Sequence, residues 1–384
     1  MKTASSETMG AHDSGGSNLP AMPPDGKPVV LHYTGYTVDG GGILAVVRAL
    51  VGEGRFHCLL GVNPDFQQRG RPRLPLWHGP PIRGERIDPL NALRALRVAW
   101  RVRRWLRGGA GRIFHGHSRA GLLVALWLAL LGERRVIVTV HVFGRQRWFY
   151  RRAAALLGER LYWLGPAMKR HYRIGAETWS GCLPDCVPNT AVRPVRSRPP
   201  HPVVIFGCVG GLVPVKQWEL VIRALACLPR EMPVRVVHAG REDGSAASAA
   251  YAARLRRLGD ELGVADRIEW RGETGDMVSF YEGIDCLIVP SPWEASSVAA
   301  LEAVAAGVPV LAAETSGTRD LVECCEGGWL FAADSAEALG QRMLTLARGP
   351  DLPAWRRNDA ALVKFTAAHA AAAHAAVYRS LLGR

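Results

Sequence analysis

Glu294 and Glu302 stand eight residues apart in the run Pro290-Ser-Pro-Trp-Glu-Ala-Ser-Ser-Val-Ala-Ala-Leu-Glu-Ala-Val-Ala-Ala-Gly-Val-Pro-Val310. Two carboxylates can do acid–base work, or each can hold hydroxyls of a sugar. The elements that carry them decide between these roles. Leu287-Ile-Val-Pro290 reads as a buried strand ended by Pro290 and Pro292. Ser296 and Ser297 offer an N-cap, Val298 to Ala306 reads as helix, and Gly307 stops it before the strand Val308–Ala312. Glu294 then lies in a loop at a strand's carboxyl end, and Glu302 about a turn and a half into the following helix. Between them the N–H groups at Ser297, Val298 and Ala299 point at whatever anion fills the crevice. A diphosphate with a sugar at each end suits that layout.

Further groups could act with this pair. Val29–Tyr33 is a short strand followed by the Gly40-Gly41-Gly42 loop and a helix from Ile43, an arrangement that lets backbone approach a phosphate. Val203–Gly207 leads to Val209-Gly-Gly-Leu-Val-Pro-Val-Lys216, where Lys216 precedes a helix from Trp218. His141 ends the strand Val136–Val140, which places it over the crevice of a parallel sheet. His115 and His117 would share a strand face, but no third ligand stands at a useful spacing, so no metal site is expected. On the helix Pro89–Arg107, Arg94, Arg97, Arg101 and Arg104 fall on one face, with Leu93, Leu96 and Trp100 on the opposing side. Those arginines could be simply solvated, or the helix could dock on anionic lipid. The segment from Gly144 to Arg152 interleaves Arg145 and Arg147 with Trp148, Phe149 and Tyr150, a mixture suited to a membrane interface or a phosphorylated acceptor.

The whole chain bounds these readings. With 384 residues it exceeds one ordinary core, and two domains of about 150 to 200 residues are expected. Residues 1–26 read as a disordered polar leader without the apolar region of a secretory signal. The longest apolar run, Ala120 to Gly132, is too short to cross a bilayer. Eight cysteines without a Cys-x-x-Cys pair suit a reducing cytoplasm. The net charge of +14 calls for a polyanion or an anionic membrane surface. Alternating strands and helices indicate parallel, doubly wound sheets in both halves.

The Pro-Ser-x-x-Glu start, the Leu301-Glu-Ala-x-Ala-x-Gly-x-Pro-Val310 run and Gly317 beyond it resemble the Glu-x7-Glu signature of retaining glycosyltransferases of family 4. The loop at Lys216 is similar to that family's phosphate loop, with Gly211 where an arginine is usual. Ser296 and Ser297 replace a usual aromatic-Gly pair. The resemblance implies the GT-B fold: an acceptor domain over 27–192, a linker over 193–202, a nucleotide-sugar domain over 203–353, and a terminal helix over 354–384 returning to the first domain. It implies that Glu294 contacts the donor sugar and Glu302 the ribose. Lys216 would meet the diphosphate, together with Gly41, Gly42 and the N–H groups of Ser297, Val298 and Ala299. His141 would lie near the transferred sugar, and the Arg271–Glu273 loop, with Gly272, would hold the base by backbone.

The expected function is transfer of a sugar, with retention, from a nucleotide-sugar to a glycan or lipid-linked acceptor. Glu294, His141 and Lys216 are the catalytic candidates. Arg94, Arg97, Arg101, Arg145, Arg147 and Trp148 are the candidates for acceptor or membrane contact. No Asp-x-Asp is present, so neither a metal nor another cofactor is expected. A cytoplasmic place, peripheral on the inner face of the membrane, follows from charge and cysteine usage. The alternatives are a nucleotide-sugar epimerase or phosphorylase of the same fold, and a basic nucleic-acid-binding protein, for which Glu302 would be irrelevant.

Overall fold

The computed structural model describes residues 25–70, 72–82, 87–176, 178–195, 202–315 and 317–383. The first 24 residues of the expected leader and residues 196–201 of the expected linker lie outside them. Two sheets of six strands form the frame. The first contains β1 (Val29–Tyr33), β2 (His57–Val62), β3 (Leu76–His78), β4 (Arg112–Gly116), β5 (Val136–Val140) and β6 (Leu161–Trp163), in the order β3-β2-β1-β4-β5-β6. The second contains β7 (Val204–Val209), β8 (Val234–Ala239), β9 (Ile268–Gly272), β10 (Cys286–Val289), β11 (Val310–Ala313) and β12 (Gly328–Phe331), in the order β12-β11-β10-β7-β8-β9. Every strand pairing is parallel. Strands such as Val136-Ile-Val-Thr-Val140 are buried along their whole length because helices cover both faces of the sheet.

The first sheet carries α1 (Gly42–Gly52), α2 (Pro89–Arg107), α3 (Arg119–Leu130), α4 (Arg147–Leu157) and α5 (Pro166–Tyr172). The second carries α6 (Trp218–Ala226), α7 (Ala246–Glu261), α8 (Met277–Glu282), α9 (Val298–Ala305), α10 (Arg319–Cys325) and α11 (Ala336–Arg348). Several ends are set by side chains read directly from the sequence. Asp88, Ser118, Ser245 and Ser297 each accept an N–H from the first turn of the helix they precede.

The expected terminal helix is not continuous. It is divided into α12 (Asp351–Ala354), α13 (Asp359–Leu362) and α14 (Ala367–Leu382). Asn358 caps α13, and Phe365 and Ala367 bond to Val187 as the chain crosses back to the first lobe. There α14 buries Ala370, Ala371 and Tyr378 against Val46 and Leu50 of α1. The return expected from the resemblance is thus present, carried by α14 alone.

Each sheet order reverses once, between β1 and β4 and between β7 and β10. Loops leaving adjacent strands at such a reversal diverge and open a crevice beyond their carboxyl ends. The lobes also meet through a carboxylate. Asp320 on α10 accepts the Ala167 N–H of α5, its two oxygens lying 3.1 and 2.9 Å away. Gly165 permits this approach, since a Cβ there would lie 2.2 Å from Asp320 Oδ2. Burial pushes Asp320 up to about 6, outweighing the Ala167 bond and the positive charge of Arg170 that favour the carboxylate. A carboxyl raised above its unfolded value of 3.8 contributes stability below that value and loses it as pH rises through about 6. Keeping it ionised at pH 7.5 costs on the order of 3 kcal/mol. Asp320→Asn, which retains an acceptor oxygen for Ala167, is expected to raise the melting temperature by several degrees at pH 7.5 and to leave it unchanged near pH 3.5. Thermal scans at the two pH values check this, and a loss of stability at pH 7.5 would refute it.

Candidate functional site

The crevice of the second lobe brings the two sequence motifs together. Lys216 ends a short turn after β7, Glu294 lies in the loop after β10, and these strands are neighbours. Their side chains form an ion pair, Lys216 Nζ to Glu294 Oε1, with both partly exposed to the cleft. The loop bearing Glu294 is held by backbone. The Gly317 N–H donates to the Glu294 carbonyl at 2.6 Å, and a Cβ on Gly317 would lie only 1.9 Å from the Ala295 oxygen. Ser297 caps α9 by accepting from the Ala300 N–H at 3.2 Å. The two N–H groups before it, at Val298 and Ala299, have no carbonyl one turn back. Glu294 of the Lys216–Glu294 pair thus stands in the loop that leads, three residues on, to the α9 cap at Ser297.

From the first lobe, the glycine loop reaches the same helix. Gly41 takes a φ of +85° as the N-cap of α1. A Cβ on Gly42 would lie 2.7 Å from Val298 Cγ2, so only glycine lets α1 approach the start of α9 this closely. Asp39 anchors the loop, bonding Arg48 at 2.8 Å and accepting the Arg69 and Gly70 N–H groups at 2.6 Å.

Glu302 is largely buried on α9, and its Oε2 lies 2.9 Å from the Tyr281 hydroxyl of α8. Burial raises its pKa, and the Tyr281 bond opposes this. It borders a cavity of about 190 Å³ with Met277, Val278, Pro188 and Arg193. Arg271 and Gly272 lie farther out, at the end of β9. The Arg271 Nε is 2.5 Å from Glu269, and the Gly272 carbonyl accepts the Gly240 N–H at 2.8 Å. Among the described residues, no hydrogen bond or ion pair joins either to Lys216 or Glu302. The Arg241 guanidinium, beside the position of the arginine missing at Gly211, lies 3.3 Å from Glu273 in an exposed ion pair.

The histidines are arranged differently from the expectation. His141 presents no open nitrogen to the cleft. Its Nε2 is 3.1 Å from His117 Nδ1, its Nδ1 is 3.3 Å from Asp185, and its side chain is 5% exposed. His117 Nε2 in turn lies 2.8 Å from His32 Nδ1. Asp185 Oδ1 lies on the Nδ1 side of His141 without a hydrogen bond to it, and a proton on that nitrogen would make each following ring donate through Nδ1 and accept at Nε2. The row ends at His32 Nε2, a buried nitrogen without a partner among the described residues. His32 is the third imidazole that spacing did not supply: the β1–β4 register sets it beside His115. Ring nitrogens of His32, His115 and His117 all fall within 4.8 Å of one another. The His115 nitrogens, however, are already engaged by other side chains. The His115 ring stands 4.0 Å from that of His117, and its nitrogens meet Tyr378 and Thr139 at 2.8 and 2.9 Å. Burial first, then neighbouring imidazoles, hold His115 and His117 well below the usual histidine range, so the cluster is neutral at pH 7.

The outer face of α2 also differs from its expected pattern. Leu93 and Trp100 do not pack on the sheet; they are 61% and 60% exposed. The buried stripe is Ala95, Val98, Ala99, Val102, Trp105 and Leu106. Leu93 and Trp100 therefore share the outer arc with Arg97, Arg101 and Arg104, with Arg94 half-buried at its margin. Trp148 on α4 is likewise exposed, with the Arg152 guanidinium 5.7 Å from its ring. Arg147 is exposed at the start of α4, and Arg145 lines a cleft between the lobes. Among the described residues, no helix is long and apolar enough to cross a membrane.

Residues 194–361 match the family model described as Glycosyl transferases group 1. The chain is 31% identical over 190 residues to a D-inositol 3-phosphate glycosyltransferase of Mycobacterium marinum, covering 47% of this chain and 36% of that protein. It is 31% identical over 182 residues to a lipopolysaccharide core biosynthesis mannosyltransferase of Rhizobium meliloti, covering 46% of this chain and 51% of that one. It thus spans about a third to a half of the curated relatives it matches. Anabaena HepE, solved in complex with UDP and glucose, superposes with a TM-score of 0.69 at 17% identity, over 92% of this chain and 100% of that one. The second half therefore carries a glycosyl transferases group 1 domain, and the two-sheet architecture is the GT-B fold.

Proposed function

We propose that the protein transfers a sugar from a nucleotide-sugar to a hydroxyl of a glycan or lipid-linked acceptor, in the manner of family 4 and with retention at the anomeric carbon. The observation that carries this reading is the Lys216–Glu294 pair set at the N-terminus of α9 in the crevice between β7 and β10. The acceptor oxygen bonds to the anomeric carbon while the bond from that carbon to the diphosphate oxygen breaks. The acceptor's proton leaves with the departing nucleoside diphosphate. Charge grows on that leaving oxygen, and Lys216 with the Val298 and Ala299 N–H groups would stabilise it. Donor binding would draw Lys216 from Glu294 to the phosphates and free Glu294 for the sugar hydroxyls. Glu302 would take the ribose diol. Because His141 faces inward, its contribution would be to fix the loop that starts at Val142 rather than to touch the sugar. The chemistry proposed needs no metal or other cofactor.

The same reading places the first lobe against an anionic membrane, supported by the shared exposed face of Leu93, Trp100, Arg97 and Arg101. Sedimentation with vesicles containing anionic lipid checks that part, and its loss in Trp100→Ser with Arg101→Ser is expected. The donor site is tested by thermal shift with UDP-, GDP-, ADP- and CDP-sugars. One nucleotide is expected to raise the melting temperature by several degrees at saturation, and Glu302→Ala to abolish that rise. No shift with any nucleotide-sugar would overturn the reading.

A further inference from the structure

His238, the penultimate residue of β8, is 2% exposed, and neither ring nitrogen has a partner among the described residues. An unpaired imidazole in a buried site lowers stability, so its presence calls for a use. The ring packs edge-on against Trp218, with centroids 4.9 Å apart, and against Trp270 at 5.2 Å. The Trp218 Nε1 is already committed to the Gly211 carbonyl, at 3.0 Å. The space left beside the ring, next to Cys208, is a cavity of about 10 Å³. That is room for one water at most, and its apolar walls give a water too few bonds. Burial holds His238 down to about 4, so the ring is neutral at pH 7 and carries one N–H.

The loop that leads from β7 to Lys216 passes beside this ring. A Cβ on Gly240 would lie 1.8 Å from the Gly210 oxygen and 3.1 Å from His238 Cε1, so one glycine keeps carbonyl and ring together. The Gly210 carbonyl favours a proton on the ring, against the larger effect of burial. Among the described residues that carbonyl accepts no hydrogen bond, and the Gly211 N–H of the same peptide donates none. In a trans peptide the N–H points opposite to the carbonyl, so the Gly211 N–H is turned away from β8. Lys216 lies over the same peptide, since a Cβ on Gly210 would be 3.4 Å from Lys216 Cε. Three unpaired polar groups thus follow one another: ring, carbonyl and N–H. A hydrogen bond to a carbonyl polarises its peptide and strengthens the N–H on the far side.

We infer that His238 is a positioning residue for the donor diphosphate, its ring N–H donating to the Gly210 carbonyl and so setting the Gly211 N–H on a phosphate oxygen. The inference rests on the transferase reading for its ligand. The bond forms on loading, when ring and carbonyl close the remaining gap. It gives Gly211, which brings no side chain to the loop, a backbone contribution to the phosphates. It also explains a polar ring kept where an apolar one would stabilise the fold.

The test is calorimetric titration of the full chain with UDP, GDP, ADP and CDP, each beside its own nucleoside, for wild type, His238→Phe and His238→Leu. The diphosphate that wild type binds is expected to bind about tenfold more weakly to both variants, with the nucleoside unchanged. Without ligand, both variants are expected to melt no lower than wild type, because two unpaired nitrogens leave a buried site. Leucine, smaller than the native ring, keeps the test valid where phenylalanine does not fit. In isotope-labelled protein, adding the diphosphate is expected to bring out one slowly exchanging imidazole N–H that neither variant shows by NMR. A purely structural role gives the reverse pattern, lower melting with diphosphate affinity kept, and overturns the inference. A loss equal for diphosphate and nucleoside overturns it too. Wild type that binds none of the diphosphates overturns the transferase reading and this inference together, whereas affinity kept in both variants overturns this inference alone.

Discussion

Lys216→Ala is expected to lower kcat/KM for sugar transfer by about 10²–10³, the loss found when one preorganised charge-stabilising donor is removed from a catalytic site. The size follows from how few cations the structure gives that point. Gly211 has no side chain, and a Cβ there would meet only the Arg241 carbonyl, at 3.6 Å. Arg241 is directed to Glu273. The remaining support comes from the N–H groups at the start of α9, which carry partial charge. Lys216→Ala also leaves Glu294 without its ion-pair partner, so part of the loss would be a carboxylate facing phosphate. The double variant Lys216→Ala with Glu294→Ala is therefore expected to lose less than the two single losses combined. Because Gly211 has room for a side chain, Gly211→Arg in the Lys216→Ala background should recover part of the rate. Steady-state kinetics on wild type, the two single variants, their double variant and Gly211→Arg with Lys216→Ala decide it. A loss under threefold for Lys216→Ala would remove the lysine from the proposed chemistry.

What could be read from the sequence was local, and what could not was set by partners brought from afar. Ser297 as a cap, Gly307 as a stop and Pro89 as the first residue of α2 depend on backbone groups within one helical turn, and each stands where expected. The outward face of α2 differs from expectation because Leu93, Leu96 and Trp100 were set on the side opposite the arginines, whereas Leu93 and Trp100 stand exposed among them. The buried stripe is instead Ala95, Val98, Ala99, Val102, Trp105 and Leu106, and Leu93 and Trp100 are left outside. His32 escaped notice because its neighbours are chosen by strand register: His32 pairs with His115 across β1 and β4, 83 positions apart in the chain. The cleft lined by Trp293 and Arg145 joins two lobes, and no spacing along the chain encodes it.

The histidine row leads to the second large effect. His117→Ala is expected to cost about 2–5 kcal/mol of stability at pH 8, a large share of what holds a domain together. The ring sits between His32 and His141, and removing it orphans the donor at His32 Nδ1 and the acceptor at His141 Nε2 in a buried site. It also removes the surface on which His115 rests. The pH dependence distinguishes this role from simple loss of volume. Burial lowers His32 to about 3 and His374 to about 4, and holds His115 and His117 well below the ordinary 6.5. Groups with depressed folded values contribute stability above the unfolded value, and that stability is lost as pH falls toward the folded one. Wild type should therefore weaken steeply between about pH 6.5 and 4, by up to about 1.4 kcal/mol per pH unit for each buried histidine. His117→Ala has one fewer such proton to exclude, so its stability should fall less steeply over that window although it starts lower. Urea unfolding at pH 8, 6 and 5 measures both quantities. A variant as stable as wild type at pH 8, or one with an unchanged acid slope, would show that the row is packing alone and that the tautomer sequence from Asp185 to His32 carries no energy.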